Sequence, residues 1–483
     1  MTHSPMVAVW EGLGGDPALL PRVSAVVREG ALEARLPVRE LGRGCVGACA
    51  LAAAELGARR AGLAEVPRVR VDDGAVATAF VSERHLLIDG RAPVSFAPLS
   101  RFWRTADGWV RTHANYPHHR ARLLGALGLA DDATVSDVAG LLAGRSAAEV
   151  EETVYGAGGL AVALRTAKEW ATHEQGIAVA GRPLIEHERV DTARARALPP
   201  LDGDPLLPAA GARVLDLTRV IAGPVATRTL ALLGADVLRV DAPQLPEDPD
   251  AHADTGFGKR STTLDLATDR STFEELLASA DVVVTGYRPG ALDRFGLSPE
   301  ALAERKPGLI VTQLSAWGAY GPWGERRGFD SLVQVATGIA ATEGSPEQPG
   351  ALPAQALDHG TGYLLAAAVL RALTEQSEQG YGRVVRLALA RTAAWLTDGI
   401  EGGETGPAGR GEAEPVERGE AAGPVQRQEA QEPAYDRPHA WLAERDSGIG
   451  RLRYALPPVS FAGGPADWAR PPGRWGTDPA RWA

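Results

Sequence analysis

The chain has 483 residues, 45% of them hydrophobic, enough for two or three domains with sizeable cores. Its formal net charge is -11, and no basic block dominates any segment, which excludes a general nucleic-acid binder. The two cysteines, Cys45 and Cys49, supply no disulfide framework and fit a reducing cytoplasm.

At the amino terminus, MTHSPMVAVWEG lacks the charged region and apolar core of a signal peptide. No uninterrupted apolar run reaches membrane-spanning length, Val46–Leu56 being too short, so a soluble, cytoplasmic protein is expected. Residues 31–64 read as an alanine-rich helix, with Cys45 and Cys49 on one face in buried packing. Strand-like alternation follows in PRVRV and ATAFV, then in HLLID. The run from Ser100 reads as strand, Asp107-Gly108 turn, strand, then a helix after Pro117. His113, His118 and His119 have no acidic or cysteine partner at helical ligand spacing, so no metal site is expected. Helices follow at Val135–Leu142 and Ala147–Tyr155, then EWATHEQGIAVAGR reads as a helix ending at Gly176 before a short strand. The segment Ala195–Ala210, rich in Pro and Asp, reads as a linker.

From residue 211 the pattern becomes strand–helix alternation. Strands are expected in ARVLDLT, DVLRVDAP, Thr263–Leu266, DVVVTGY and GLIVTQLSAWG, with helices in AGPVATRTLALLGA, Thr272–Ser279 and Pro299–Arg305. Such alternation implies a parallel sheet covered by helices, with ligands at the carboxyl ends of its strands. That edge gathers Thr218–Gly223, Asp241–Pro243, Thr285–Pro289 and Ser315–Gly321. Neither G-x-G-x-x-G after the first strand nor G-x-x-x-x-G-K-[ST] occurs, so a standard dinucleotide site and a P-loop are discounted. Arg219, Lys259, Arg260, Arg288 and Arg294 near the edge suit a phosphorylated ligand, though each alone reads as solvated surface charge.

The stretch Pro353–Leu373 carries the most chemistry. An apolar run follows Asp358 directly and reads as a buried helix, with Asp358 at or beside its N-cap and Gly360 and Gly362 allowing close backbone approach. The helix dipole favours an ionised carboxylate there. By itself such a residue is an ordinary cap; partly desolvated, it is also a candidate nucleophile toward an acyl carbon.

The segments RVLDLTRVIAGPVATRTLALLGADVLRVDAP, GFGKRSTTLDL, ADVVVTGYRPGALDRFGL, PGLIVTQLSAWGAYGP, FDSLVQVATG and ALDHGTGYLLAAAVLRAL resemble the family III CoA-transferases (CaiB/BaiF group) in family order, from Gly211 to Trp395. The resemblance implies an α/β fold: a Rossmann-like parallel-sheet large domain with a smaller α+β domain. It implies that Asp358 attacks an acyl-CoA, forming an aspartyl mixed anhydride and then an aspartyl-CoA thioester before CoA passes to an acceptor acid (an EC 2.8.3 activity). CoA thioester is then a substrate, with no permanent cofactor and no metal. By the same resemblance Ile221 and Ala222 line the CoA thiol end, and Lys259 and Arg294 approach the phosphates or adenosine. Gly286, Tyr287 and Arg288 flank the nucleotide; Arg327, Gly328, Phe329 and Asp330 border the pantetheine. Ile221 stands where formyl-CoA transferases have a glutamine, and Ala242 where they have a CoA-contacting arginine. The racemases of this fold pair an aspartate with a histidine that falls at Phe329, which cannot shuttle a proton. A racemase or a non-catalytic CoA-thioester binder are the alternatives to a transferase.

The first half resembles other parts of the same family. RTADGWVRTHANYPHHRARLLGALGL and EWATHEQGIAVAG are similar to the small domain, and LEARLPVRELGRGCVGACALAAAEL to a degenerate catalytic helix. Aligning Gly42 and Gly44 with Gly360 and Gly362 sets Glu40 opposite Asp358. The expected organisation is a truncated first copy over 1–200, a catalytic domain over 201–400, a flexible Gly/Pro-rich linker over 401–435 and a returning segment over 436–483. The partners implied are an acyl-CoA, a carboxylic acid, and either a second subunit in a homodimer or internal pairing of the two copies.

Overall fold

The computed structural model describes residues 5–94, 96–190, 196–400 and 434–483. The expected linker lies almost wholly outside the described residues, and with it the glycine-rich stretch Gly402–Gly411. In the first half, β1 (Val23–Val26) and β2 (Val69–Asp72) form a two-stranded parallel sheet, joined by the long helix α1 (Val38–Ala61). ATAFV is not a strand. Asp72 caps a helix over Asp73–Ala79 by accepting from the Gly74 amide at 2.9 Å, and the alanines that follow favour continuation of that turn.

A three-stranded antiparallel sheet pairs Phe102–Arg104, β3 (Trp109–Thr112) and Ala161–Ala163. Its helices are α2 (Pro117–Leu127), Val135–Leu142 and Ala147–Gly156, packed through Trp103, Val110, Leu124, Val138 and Val154. The expected strand after Gly176 is absent: Ala167–Thr172 and Glu174–Ala180 are both helical, the second capped by His173 Nδ1 accepting from Gln175 at 3.1 Å.

The main sheet has seven strands. They are β4 (Glu186–Arg189), β5 (Arg213–Leu217), β6 (Asp236–Asp241), β7 (Arg260–Thr263), β8 (Val282–Thr285), β9 (Ile310–Ser315) and β10 (Arg383–Ala388). The order is β7-β6-β5-β8-β9-β10-β4, parallel throughout except for β4 at the edge. Helix α3 (Ala222–Leu232) links β5 to β6; α4 (Asp330–Ala336) and α5 (Ala356–Gln379) lie between β9 and β10. The expected strand at 263–266 sits three residues earlier, as β7 pairs with β6 from Arg260.

One core runs continuously from the first half into the second, because α1 packs along α5 and α3 packs on the other side of α5. Among the described residues α1 is the one helix long and apolar enough by composition to cross a membrane, and 94% of its apolar window is buried inside the protein. Cys45 and Cys49 lie in that interface, both free thiols and both pushed to higher pKa by burial. The carboxyl-terminal residues return across both halves. Gly450–Ala455 pairs with Leu87–Ile88, and Trp475 Nε1 donates to Asp241 at 2.8 Å.

Candidate active site around Asp358

Asp358 is the third residue of α5; the helix begins at Ala356, and Gln355 occupies the cap without a side-chain bond. Asp358 is therefore not the N-cap. That role passes to Asp330 at the start of α4, whose Oδ2 accepts from the amides of Leu357 (2.9 Å) and Asp358 (3.0 Å). Its Oδ1 accepts from Gln334 Nε2, whose own carbonyl oxygen receives the Leu352 amide at 2.9 Å. Burial raises the Asp330 carboxyl to about 6 despite those donors.

At Asp358 the helix dipole is opposed by its surroundings. Burial first, then the charges of Asp330 and Glu83, push its pKa well above the ordinary range. Asp358 is only 6% exposed, so access by a thioester requires the segments around it to part. A cavity of about 250 Å³ lies elsewhere, at the amino ends of the strands, lined by Arg196, Arg213, Asp281 and Lys306 among others. His359, next in sequence, turns toward the first half and stacks on Phe80 with centroids 5.2 Å apart.

The glycines explain the close packing. A Cβ at Gly362 would lie 2.6 Å from the Ala222 carbonyl oxygen, and one at Gly360 would lie 2.8 Å from Leu41 of α1. Ile221 and Ala222, at the cap and first turn of α3, are thereby brought beside the start of α5. The turn leading into α3 holds Val220 at φ +73°, an unfavourable conformation for a β-branched residue. Nothing in the sequence announces that strain, since valine disfavours it.

Of the five cations expected at the strand ends, three are consumed internally. Lys259 is buried and donates to Asp216 (3.0 Å), the Pro224 carbonyl (3.0 Å) and Thr227 (2.6 Å), so its ammonium is not turned to a phosphate. Arg219 pairs with Glu247, and Arg260 pairs with Asp236 at the opposite end of the sheet. A buried cation without a partner is too costly, and the acids that supply those partners stand far away in sequence. Asp330 and Lys259 are thus corrected from ligand contacts to internal scaffolding.

Arg288 and Arg327 do come together, with Arg122 of α2 as a third cation that the sequence alone did not single out. Burial and the charges of Arg122 and Arg288 lower the Arg327 pKa, the signature of cations held together. Tyr287 is half-buried near Asp241, its hydroxyl pushed up to about 12, and Gly286 is exposed at the end of β8. Arg294 is exposed over the Phe295 ring, 4.7 Å from its centroid. Gly328 and Phe329 are half-buried, and Phe329 stacks on His113 of the first half at 3.7 Å. His113 and His119 are lowered to about 3, chiefly by burial. Among the described residues no group of His, Cys, Asp or Glu is arranged to hold a metal.

Residues 209–432 match the model of "CoA-transferase family III". That stretch of the chain is similar to this family. A probable fatty acyl-CoA transferase of Mycobacterium tuberculosis is 37% identical over 209 residues, 40% of this chain and 53% of the relative. A formyl-CoA:oxalate CoA-transferase of Streptomyces avermitilis is 34% identical over 193 residues, 37% of this chain and 47% of the relative. Among solved structures, a CaiB/BaiF family protein from Brucella suis matches at 29% identity and a TM-score of 0.35, covering 40% of this chain and 59% of that one. The chain spans about half the length of the curated relatives it matches.

Proposed function

We propose that this chain moves CoA from an acyl-CoA thioester to a carboxylic acid, with Asp358 as the covalent nucleophile. The observation that carries the reading is a buried carboxyl in the first turn of α5, beside glycines that admit α3 to near contact, within a family III segment.

The Asp358 carboxylate attacks the acyl carbon; the carbon–sulfur bond breaks and CoA leaves as thiolate. The thiolate attacks the aspartyl carbonyl of the mixed anhydride, releasing the donor carboxylate and leaving an aspartyl-CoA thioester. An acceptor carboxylate then attacks that thioester and the sequence runs in reverse. Each step conserves charge and needs neither metal nor redox partner. The raised pKa of Asp358 makes its ionised form more basic, hence more nucleophilic once formed.

Arg122, Arg288 and Arg327 supply charge for the phosphates of CoA. Phe329, at the position of the racemase histidine, has no proton to move, which favours transfer over racemisation. The packing of α1 along α5 favours internal pairing of two copies over a homodimer, and a mass measurement in solution distinguishes the two. A cytoplasmic site of action fits the free, buried cysteines.

The test is to incubate the protein with formyl-, succinyl- and fatty acyl-CoA, quench with hydroxylamine and locate adducts by peptide mass. A hydroxamate at Asp358 is expected with at least one donor. No adduct from a broader donor panel overturns the reading.

A further inference from the structure

The helical turn Ser82–His85 comes from the first half and docks against the second. Ser82 Oγ donates to Asp254 at 2.8 Å, and Arg228 of α3 donates to both residues. Those bonds fix the next residue, Glu83, against the first turn of α5. One Glu83 oxygen lies 3.4 Å from Arg84 Nε. The other is buried without a hydrogen-bond partner, 4.0 Å from His359 Nε2, and both His359 ring nitrogens are likewise unpartnered. Leaving such atoms unpaired in the interior costs free energy that packing alone does not require.

We infer that Glu83 is a positioning residue for Asp358: its carboxyl, supplied by the first half, sets the charge carried by the nucleophile. The inference rests on the transfer reading and deepens it, because it makes the first half part of the chemistry rather than a scaffold.

The charged groups around the pair come from four elements. The Asp358 amide donates to Asp330 of α4, and Glu83 lies 4.0 Å from the adjacent His359, so the charges of both carboxyls bear on Asp358. Glu83 faces Asp254, Arg84 of its own turn and Arg228 of α3, with His359 above it. Burial and then Asp254 raise the Glu83 carboxyl to about 7, against the opposing pull of both arginines. His359 is held neutral by burial and by Arg228 and Arg84. Two carboxylates so placed do not ionise together readily. When Glu83 keeps its proton, Asp358 loses its own more easily; when Glu83 is charged, Asp358 is held neutral.

Glu83→Gln fixes the neutral state at nearly constant size. In the full chain, the Asp358 carboxyl is titrated by infrared difference spectroscopy against Asp358→Asn, and hydroxamate formation is followed across pH. Both midpoints are expected to fall by about one pH unit in Glu83→Gln, the usual effect of removing one nearby like charge. Glu83→Asp, which keeps the charge, is expected to stay near the natural value. Unmoved midpoints, or a rate lowered equally at every pH, overturn the inference, as does Glu83→Asp shifting as far as Glu83→Gln. If Glu83→Gln does not fold, Glu83→Ala replaces it as the neutral variant with the same expectation. An infrared shift in a protein that never forms hydroxamate would refute transfer while leaving the charge coupling intact.

Discussion

Helices α1 and α5 are both 24 residues long, lie against each other, and carry an acidic side chain at the third position, Glu40 in one and Asp358 in the other. Glycines follow at the same intervals: Gly42 and Gly44, Gly360 and Gly362. Their surroundings differ. Asp330 reaches across to cap the amides of α5, whereas α1 starts after Pro37 with no side-chain cap. Gly362 meets the Ala222 backbone, whereas Gly44 meets Pro5 and Gly42 meets the side chains of Val76 and Phe80. Asp358 is crowded by other carboxyls, whereas Glu40 pairs with its neighbour Arg39. The two helices are thus separated by a second carboxyl and by a closer backbone approach from another helix, both at α5.

The sharpest way to break this asymmetry is Asp358→Asn. Under the proposed transfer mechanism, removing the attacking carboxylate is expected to lower turnover by at least on the order of 10³-fold and abolish the hydroxamate. The fold should persist, since the variant relieves a crowded carboxyl cluster; circular dichroism and single-turnover assays check both halves of that statement. Retained turnover would leave α5 no more special than α1.

Asp330→Ala probes the cap that α1 lacks. It strands two buried amides, those of Leu357 and Asp358, and each unsatisfied donor costs roughly 1–3 kcal/mol. A loss of about 3 kcal/mol in denaturant unfolding is expected. A loss below about 1 kcal/mol would mean that the amides find other partners.

Much of this comparison could be read in the chain beforehand. The apolar run after Asp358 and the spaced glycines marked α5, and glycines at the same spacing stand in α1. The central strands β5, β6, β8 and β9 were legible because each is a short apolar run between turns. What escaped was whatever depends on distant partners. Glu83 and His359, the neighbour of Asp358, are far apart in sequence and approach each other only through the docking of the two halves. Lys259 looks like any exposed cation until Asp216 and Thr227 close around it. Strand β4, Glu186–Arg189, has no apolar alternation and exists because β10 offers it an edge.

Gly362→Ala and Gly44→Ala sharpen the packing difference. In a helix interior alanine gains about 1 kcal/mol over glycine by propensity. At Gly362 the new methyl meets backbone at 2.6 Å, which must move, so a net loss of about 2 kcal/mol is expected. At Gly44 the nearest atom, Pro5 Cβ, is 3.1 Å away, and small displacement near the chain's start offsets the gain, leaving stability near that of the natural protein. Equal losses at both positions, measured by thermal melting, would erase the distinction between the two interfaces.

The smallest effect expected is that of Glu40→Gln, at the position in α1 that corresponds to Asp358 in α5. Its ion pair with Arg39 is 3.1 Å long, between neighbours in sequence that both retain some solvent exposure. Such pairs contribute under about 1 kcal/mol, and the amide still accepts from the guanidinium. Stability should therefore change by less than about 0.5 kcal/mol and the pH profile of adduct formation should not move. A lost adduct in this variant would assign chemistry to α1 as well, and the two helices would have to be treated as paired sites rather than as a site and its structural echo.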